Sequence, residues 1–128
     1  MGKEKRLFLL AVMTVMMSTV GYGAVIEMPK EVNKNTNGIT VNEGDTSVIK
    51  QETTIKDNKI GIVINGGEVI NEKNNTIKVI GKATGIEIEK GNFGNNGTID
   101  IKQGTGIKIS GGTLNNTGEI KNGKLSIE

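Results

Sequence analysis

Apolar and polar positions alternate along most of this chain, and the alternation recurs in copies. Four segments begin Gly-Ile-x-(Ile/Val): Gly38-Ile39-Thr40-Val41, Gly61-Ile62-Val63-Ile64, Gly85-Ile86-Glu87-Ile88 and Gly106-Ile107-Lys108-Ile109. Their starting glycines lie 23, 24 and 21 residues apart. Six residues after each start stands another glycine: Gly44, Gly67, Gly91 and Gly112. Two further on, the later copies carry Val69, Phe93 and Leu114 where the first has Thr46, and then Asn71, Asn95 and Asn116 where the first has Val48. A last apolar site follows a polar Asn/Gly/Thr corner, at Ile55, Ile77, Ile99 and Ile120. Self-similarity at a period of 20–50 residues is the mark of a solenoid or other repeat architecture.

The spacing translates into geometry. Ile86-Glu87-Ile88, Ile99-Asp100-Ile101 and Ile107-Lys108-Ile109 have the two-residue period of a strand with one buried face. Each copy then holds about three short strands separated by corners. If the chain coils, every copy becomes one rung whose strands pair with the rungs above and below, about 4.8 Å away. The expected fold is all-β: a parallel β-helix of about four rungs over residues 38–128, starting at 38, 61, 85 and 106, preceded by an N-terminal signal helix. Ile39, Ile62, Ile86 and Ile107 should form one interior column. Val41, Ile64, Ile88 and Ile109 should form a second, and Ile55, Ile77, Ile99 and Ile120 a third. Burying an isoleucine contributes roughly 1.5–3 kcal/mol, so these columns are the main stabilising term, and a single rung cannot enclose them. Two readings of Asn71, Asn95 and Asn116 stand side by side: stacked amides bonded from rung to rung, or ordinary turn residues that tolerate positive φ.

The ends break the pattern. Residues 1–24 have the three parts of a secretory signal: Lys3, Lys5 and Arg6, an apolar stretch from Leu7 to Val20, and the small-residue run Gly21-Tyr22-Gly23-Ala24. Cleavage after Gly23 puts Gly at −1 and −3; cleavage after Ala24 puts Tyr22 at −3. The apolar stretch is shorter than the roughly 20 residues of a spanning helix, so membrane contact is expected only during export. Residues 25–37 are a polar lead-in or an N-terminal cap. Leu125-Ser126-Ile127-Glu128 looks like a strand with no polar cap, and an open strand edge invites end-to-end pairing with another chain.

Composition narrows the chemistry. Aromatics make up 2% of the chain, which holds Phe8, Tyr22 and Phe93, whereas a compact globular core leans on aromatic area. There is no Cys, which excludes disulfides and thiolate metal sites, and no His, the commonest metal ligand and general base. The formal charge of +2 comes from the leader; residues 25–128 carry 13 Lys against 13 acids. A balanced surface gives no electrostatic case for nucleic acid.

The short motifs favour the plain readings. Gly118 to Lys124 follows the phosphate-loop spacing, but Leu125 stands where a magnesium-binding hydroxyl belongs and no helix is expected there. Asn74, Asn96 and Asn115 begin Asn-x-Thr triplets in a chain where both residues are common. Glu87 and Glu89 share one outward strand face, a pair that can act on a sugar or hold a cation. Asp45, Asp57 and Asp100 occupy different offsets in the repeat and do not reinforce it. The calcium-binding Gly-Gly-x-Gly-x-Asp repeat is missing, since no Asp follows Gly66-Gly67 or Gly111-Gly112. No catalytic, cofactor-binding or metal residue is assigned.

Over residues 38–128, the run Gly-Ile-x-Ile, then Gly, then Asn-(Asn/Gly)-(Thr/Gly)-x-Ile resembles the passenger domains of bacterial autotransporters (type V secretion) and related filamentous adhesins. The resemblance implies a right-handed coil, display at the cell surface or secretion, and roles in adhesion, aggregation or contact with host or neighbouring-cell surface molecules. The family's C-terminal translocator, a membrane β-barrel, has no counterpart here. The expectation is therefore a fragment of a longer protein, or a chain left in the periplasm where no translocator is supplied. The leading expectation is a non-enzymatic, cofactor-free exported solenoid. The alternative is a small carbohydrate-active or carbohydrate-binding β-helix protein working through Glu87 and Glu89.

Overall fold

A computed structural model describes residues 23–57, 59–123 and 125–127. The signal helix predicted within residues 1–24 lies outside them, apart from Gly23 and Ala24. The described residues are all-β. Their first strand is the short β1 (Glu31–Val32). The first rung holds β2 (Ile39–Asn42), β3 (Thr46–Ile49) and β4 (Thr53–Ile55). The second holds β5 (Ile60–Asn71) and β6 (Thr76–Val79), and the third β7 (Thr84–Asn95) and β8 (Thr98–Ile101). The fourth holds β9 (Thr105–Ile109), β10 (Thr113–Asn116) and β11 (Glu119–Lys121), and β12 (Leu125–Ile127) opens a further turn.

Every pairing between these strands is parallel and joins one rung to the next. One sheet runs β11-β8-β6-β4-β1. The other runs β12-β9-β7-β5-β2, with β10 beside β7 and β3 beside β5. A parallel partner one full copy away is possible only if the chain returns to the same place each time. The result is a β-solenoid of about four turns.

The first two predicted columns are present in the register. Ile39 faces Ile62, Ile62 faces Ile86, and Ile86 faces Ile107; Val41, Ile64, Ile88 and Ile109 follow the same order. The inner members Ile62, Ile64, Ile86, Ile88 and Ile107 are fully buried. The third column needs correction. Ile77 pairs with Thr53 on one side and Ile99 on the other, and Ile99 in turn pairs with Ile120. Ile55 belongs to a separate column with Val32, Val79 and Ile101. Corner length is the cause: Ile49 is followed by Thr53 after four residues, whereas Asn71 is followed by Ile77 after six.

The first rung departs in a second place. Ser47 and Ile49 pair with Val69 and Asn71, so these two point inward, in place of Thr46 and Val48. The corner Glu43-Gly44-Asp45 is one residue longer than its counterparts. Asn42 pairs with both Asn65 and Gly66, a bulge on the second rung's strand, and pairing resumes at Thr46 with Glu68, so the extra residue of the first rung is taken up within the corner 43–45.

The three-strand rung holds for the first and fourth copies only. In the second and third, the first two strands run on as 12-residue strands through the glycine corner. Gly91 shows why glycine stands at that bend. Its φ is +96°, and a Cβ there would run into the carbonyl oxygen of Gly67 in the rung below.

Residues 24–32 lie across the open side of the first rung. Val25 bridges Thr46, the Ile26 N–H donates to the Thr46 carbonyl at 2.8 Å, and β1 pairs with β4. Met28 and Val32 are buried there.

Candidate functional surfaces: the asparagine corner and the outward faces

The asparagine corner sits where β5 and β7 end. Asn71 and Asn95 are fully buried, and the strand register puts Asn71, Asn95 and Asn116 directly above one another. The Asn71 Nδ2 donates to Asn95 Oδ1 at 2.9 Å, and the Asn95 Nδ2 donates to Asn116 Oδ1 at 2.8 Å. The second N–H of Asn95 faces the Gly97 and Glu119 carbonyls, each at 3.2 Å. Of the two sequence readings, the rung-to-rung ladder is the one formed.

The ladder stops at the first rung. There Ile49 takes the position of the next amide, so Asn71 Oδ1 is buried without a hydrogen-bond partner. An unsatisfied buried acceptor costs about 1–3 kcal/mol. Close by, the Asn75 Nδ2 donates to the Ile49 carbonyl at 2.7 Å, and the Glu72 N–H donates to the same oxygen at 3.1 Å. The corner is a fastening between rungs, with the amide groups of Asn71 and Asn95 turned into the protein.

The outward faces carry the charges. On the five-stranded sheet, Glu31, Thr54, Lys78, Asp100 and Lys121 stand in line, one per rung. Glu31 pairs with Lys56 at 3.0 Å, and Asn33 donates to it at 2.7 Å. These contacts, Lys56 first, hold the Glu31 carboxyl below its ordinary range and raise the Lys56 ammonium. Asp100 accepts from the Asn122 Nδ2 at 3.0 Å and pairs with Lys102 at 3.0 Å, which together hold its carboxyl low.

Glu87 lies on the outward face of β7, between Val63 and Lys108 of the adjacent rungs. Its carboxylate is 3.8 Å from the Lys108 ammonium. Glu89 is exposed on the same strand. Asp45 lies at the corner between β2 and β3, Asp57 at the turn after β4, and Asp100 on β8, so the three aspartates occupy separate parts of the rung. Among the described residues, no three or more His, Cys, Asp or Glu side chains are grouped as a metal site. Glu119–Lys121, within the phosphate-loop-like run, is strand β11 paired with β8. Asn74, Asn96 and Asn115 are exposed. An open cavity of about 490 Å³ near the last rung is lined by Lys82, Ile101, Gln103, Thr105 and Asn122 among others.

Sequence reasoning missed Asp45. Its carboxylate takes the Ala24 N–H at 2.9 Å and the Asn42 N–H at 3.2 Å. The first bond spans 21 residues, and only the short Asn42-to-Asp45 corner had a local signature. Compared with protein-family models, with curated proteins and with solved structures, the chain gives no match in any of the three.

Proposed function

We propose that this protein is a non-enzymatic exported solenoid of the autotransporter-passenger kind, displayed or secreted, that contacts other surfaces through its long polar flanks. The observation that carries this reading is the division of labour in the rung. Aliphatic columns and the asparagine ladder occupy the interior, and outward positions present one polar or charged side chain per rung in register. Such a flank offers many equivalent weak contacts about 4.8 Å apart, and binding then accumulates along the length of the molecule. The ion pairs Glu31–Lys56, Glu52–Lys78 and Glu87–Lys108 join neighbouring turns of the coil, which suits short-range contact better than long-range steering.

The test is adhesion of cells or beads carrying the protein to host cells and to one another. Adhesion should persist within about twofold in Glu87→Gln and should vanish in Ile88→Asp, which destroys the stack. Depolymerisation of a glycan by the purified protein, abolished by Glu87→Gln, would overturn the proposal in favour of a carbohydrate-active role.

A further inference from the structure

Among the described residues, Ala24 is the first whose backbone N–H and carbonyl are both bonded to the first rung. Its backbone nitrogen donates to Asp45 Oδ1 at 2.9 Å, and its carbonyl accepts from the Thr46 N–H at 3.0 Å. The other oxygen of the same carboxylate takes the Asn42 N–H at 3.2 Å, which fixes the Asp45 side chain across its corner. From Ala24 onward the contacts continue: Val25 bridges Thr46, and the Ser47 hydroxyl donates to the Ile26 carbonyl at 2.6 Å.

We infer that the leader is cut between Gly23 and Ala24, and that Asp45 is the built-in receptor for the amino terminus this cut creates. The inference rests on the proposal of export and adds a processing site to it. Hydrolysis by a signal peptidase adds one water across the Gly23–Ala24 bond. The carboxylate leaves with Gly23, and the freed Ala24 amine takes up a proton. An amide N–H facing a carboxylate thereby becomes an ammonium facing a carboxylate, a shorter and stronger, charge-assisted contact.

A cut one residue later would remove both bonds of Ala24 and leave the Thr46 N–H and one Asp45 oxygen without these partners. Gly23 also suits the residue just before the cut. A Cβ there would run into the Gly44 carbonyl oxygen, so the position admits no larger side chain while the chain lies in this place. Small residues are also what a signal peptidase requires at its cleavage site.

The experiment expresses the full chain with its leader in a bacterium, recovers the exported protein, and determines its first residues by Edman sequencing and intact mass. Ala24 should be the first residue. A mature chain beginning at Val25 or elsewhere overturns this inference and leaves export standing. An uncut chain retained in the cell overturns export, and this inference with it. In the cut protein, Asp45→Asn should lower the melting temperature by about 2–5 °C. That difference should shrink in 1 M salt, which screens an exposed ion pair. A difference unaffected by salt would mean that Asp45 only anchors neutral N–H groups, and would overturn the ion-pair assignment.

Discussion

The first rung and the two rungs above it are built from the same repeat, yet they are held together differently. The second and third rungs meet near-copies of themselves, and like side chains fill the same positions: Ile on Ile at 62 and 86, Asn on Asn at 71 and 95. The first rung has an extra corner residue, Ser47 and Ile49 at inward sites, and the lead-in residues 24–32 as its outer neighbour. Specific polar bonds make up for the missing identity there: the Ser47 hydroxyl to the Ile26 carbonyl, the Ala24 N–H to the Asp45 carboxylate, and the Asn75 amide to the Ile49 carbonyl. Repetition supplies complementarity without individual fitting; a rung that meets something unlike itself needs its contacts made one at a time.

The contrast is broken most severely at the centre. Ile88 is fully buried between Ile64 and Ile109, and Ile88→Asp would place an unpaired carboxylate in a dry column. The expected cost is several kcal/mol, enough to abolish the cooperative melt followed by far-ultraviolet circular dichroism. Ile39→Asp, at a partly buried site in the first rung, should leave a folded protein with a lowered melting temperature. Equal effects at the two sites would mean that the outer rung is as tightly built as the inner ones.

The ladder carries the next contrast. Asn95 is its middle member, so Asn95→Ala deprives both the Asn71 amide and the Asn116 carbonyl of a partner. The expected loss is about 2–3 kcal/mol in urea denaturation. Asn116 is exposed, and its replacement leaves the Asn95 amide facing the Gly97 and Glu119 carbonyls. Asn116→Ala should therefore cost less than about 1 kcal/mol. Similar losses at both positions would show that the amides do not act as a chain.

Ile49 sharpens the comparison from the other side. Ile49→Ala should cost about 2–5 kcal/mol through the cavity it leaves. Ile49→Asn loses the same apolar packing but offers a donor to the unsatisfied Asn71 oxygen and carries the ladder into the first rung. It should be at least about 1 kcal/mol less harmful than the alanine variant. An asparagine variant worse than the alanine one would mean that Asn71 Oδ1 already has a donor in solution, such as water.

The same contrast explains how much was legible in the sequence. The columns that start at Ile39 and Val41 could be read because a short glycine-anchored motif fixes their register within a few residues. The column through Ile77 was misread in the first rung because polar corners lengthen without leaving any hydrophobic trace. Its member there is Thr53, a buried threonine that no apolar pattern would flag. The ladder was visible as a spacing, although spacing does not separate a stacked amide from a turn residue. Asp45 was hidden because its partner Ala24 lies in a part of the chain that reads as leader and lead-in. Glu87 and Glu89 could be placed on an outward face, but the Lys108 ammonium beside Glu87 comes from the next rung, 21 residues away.

The smallest expected effect lies on the five-stranded face, where acid should loosen contacts at two separate rungs. Glu31, beside the first rung, and Asp100, in the third, have carboxyls held below their ordinary values, chiefly by Lys56 and by Asn122 respectively. A carboxyl depressed in the folded state adds stability above its unfolded pKa, roughly 3.9 for Asp and 4.3 for Glu. That stability is lost as pH falls through the lower folded values. The melting temperature should therefore decline more steeply below about pH 4 in the native protein than in Glu31→Gln or Asp100→Asn. Each variant's deficit at pH 7 should close as the acid limit is approached. Both groups are solvent-accessible in part, so the differences should be modest and should shrink with added salt. Asp100, almost covered and bonded from two sides, should show the larger one. Melting curves that stay parallel across that range would mean that these carboxylates are no better held in the folded chain than in the unfolded one.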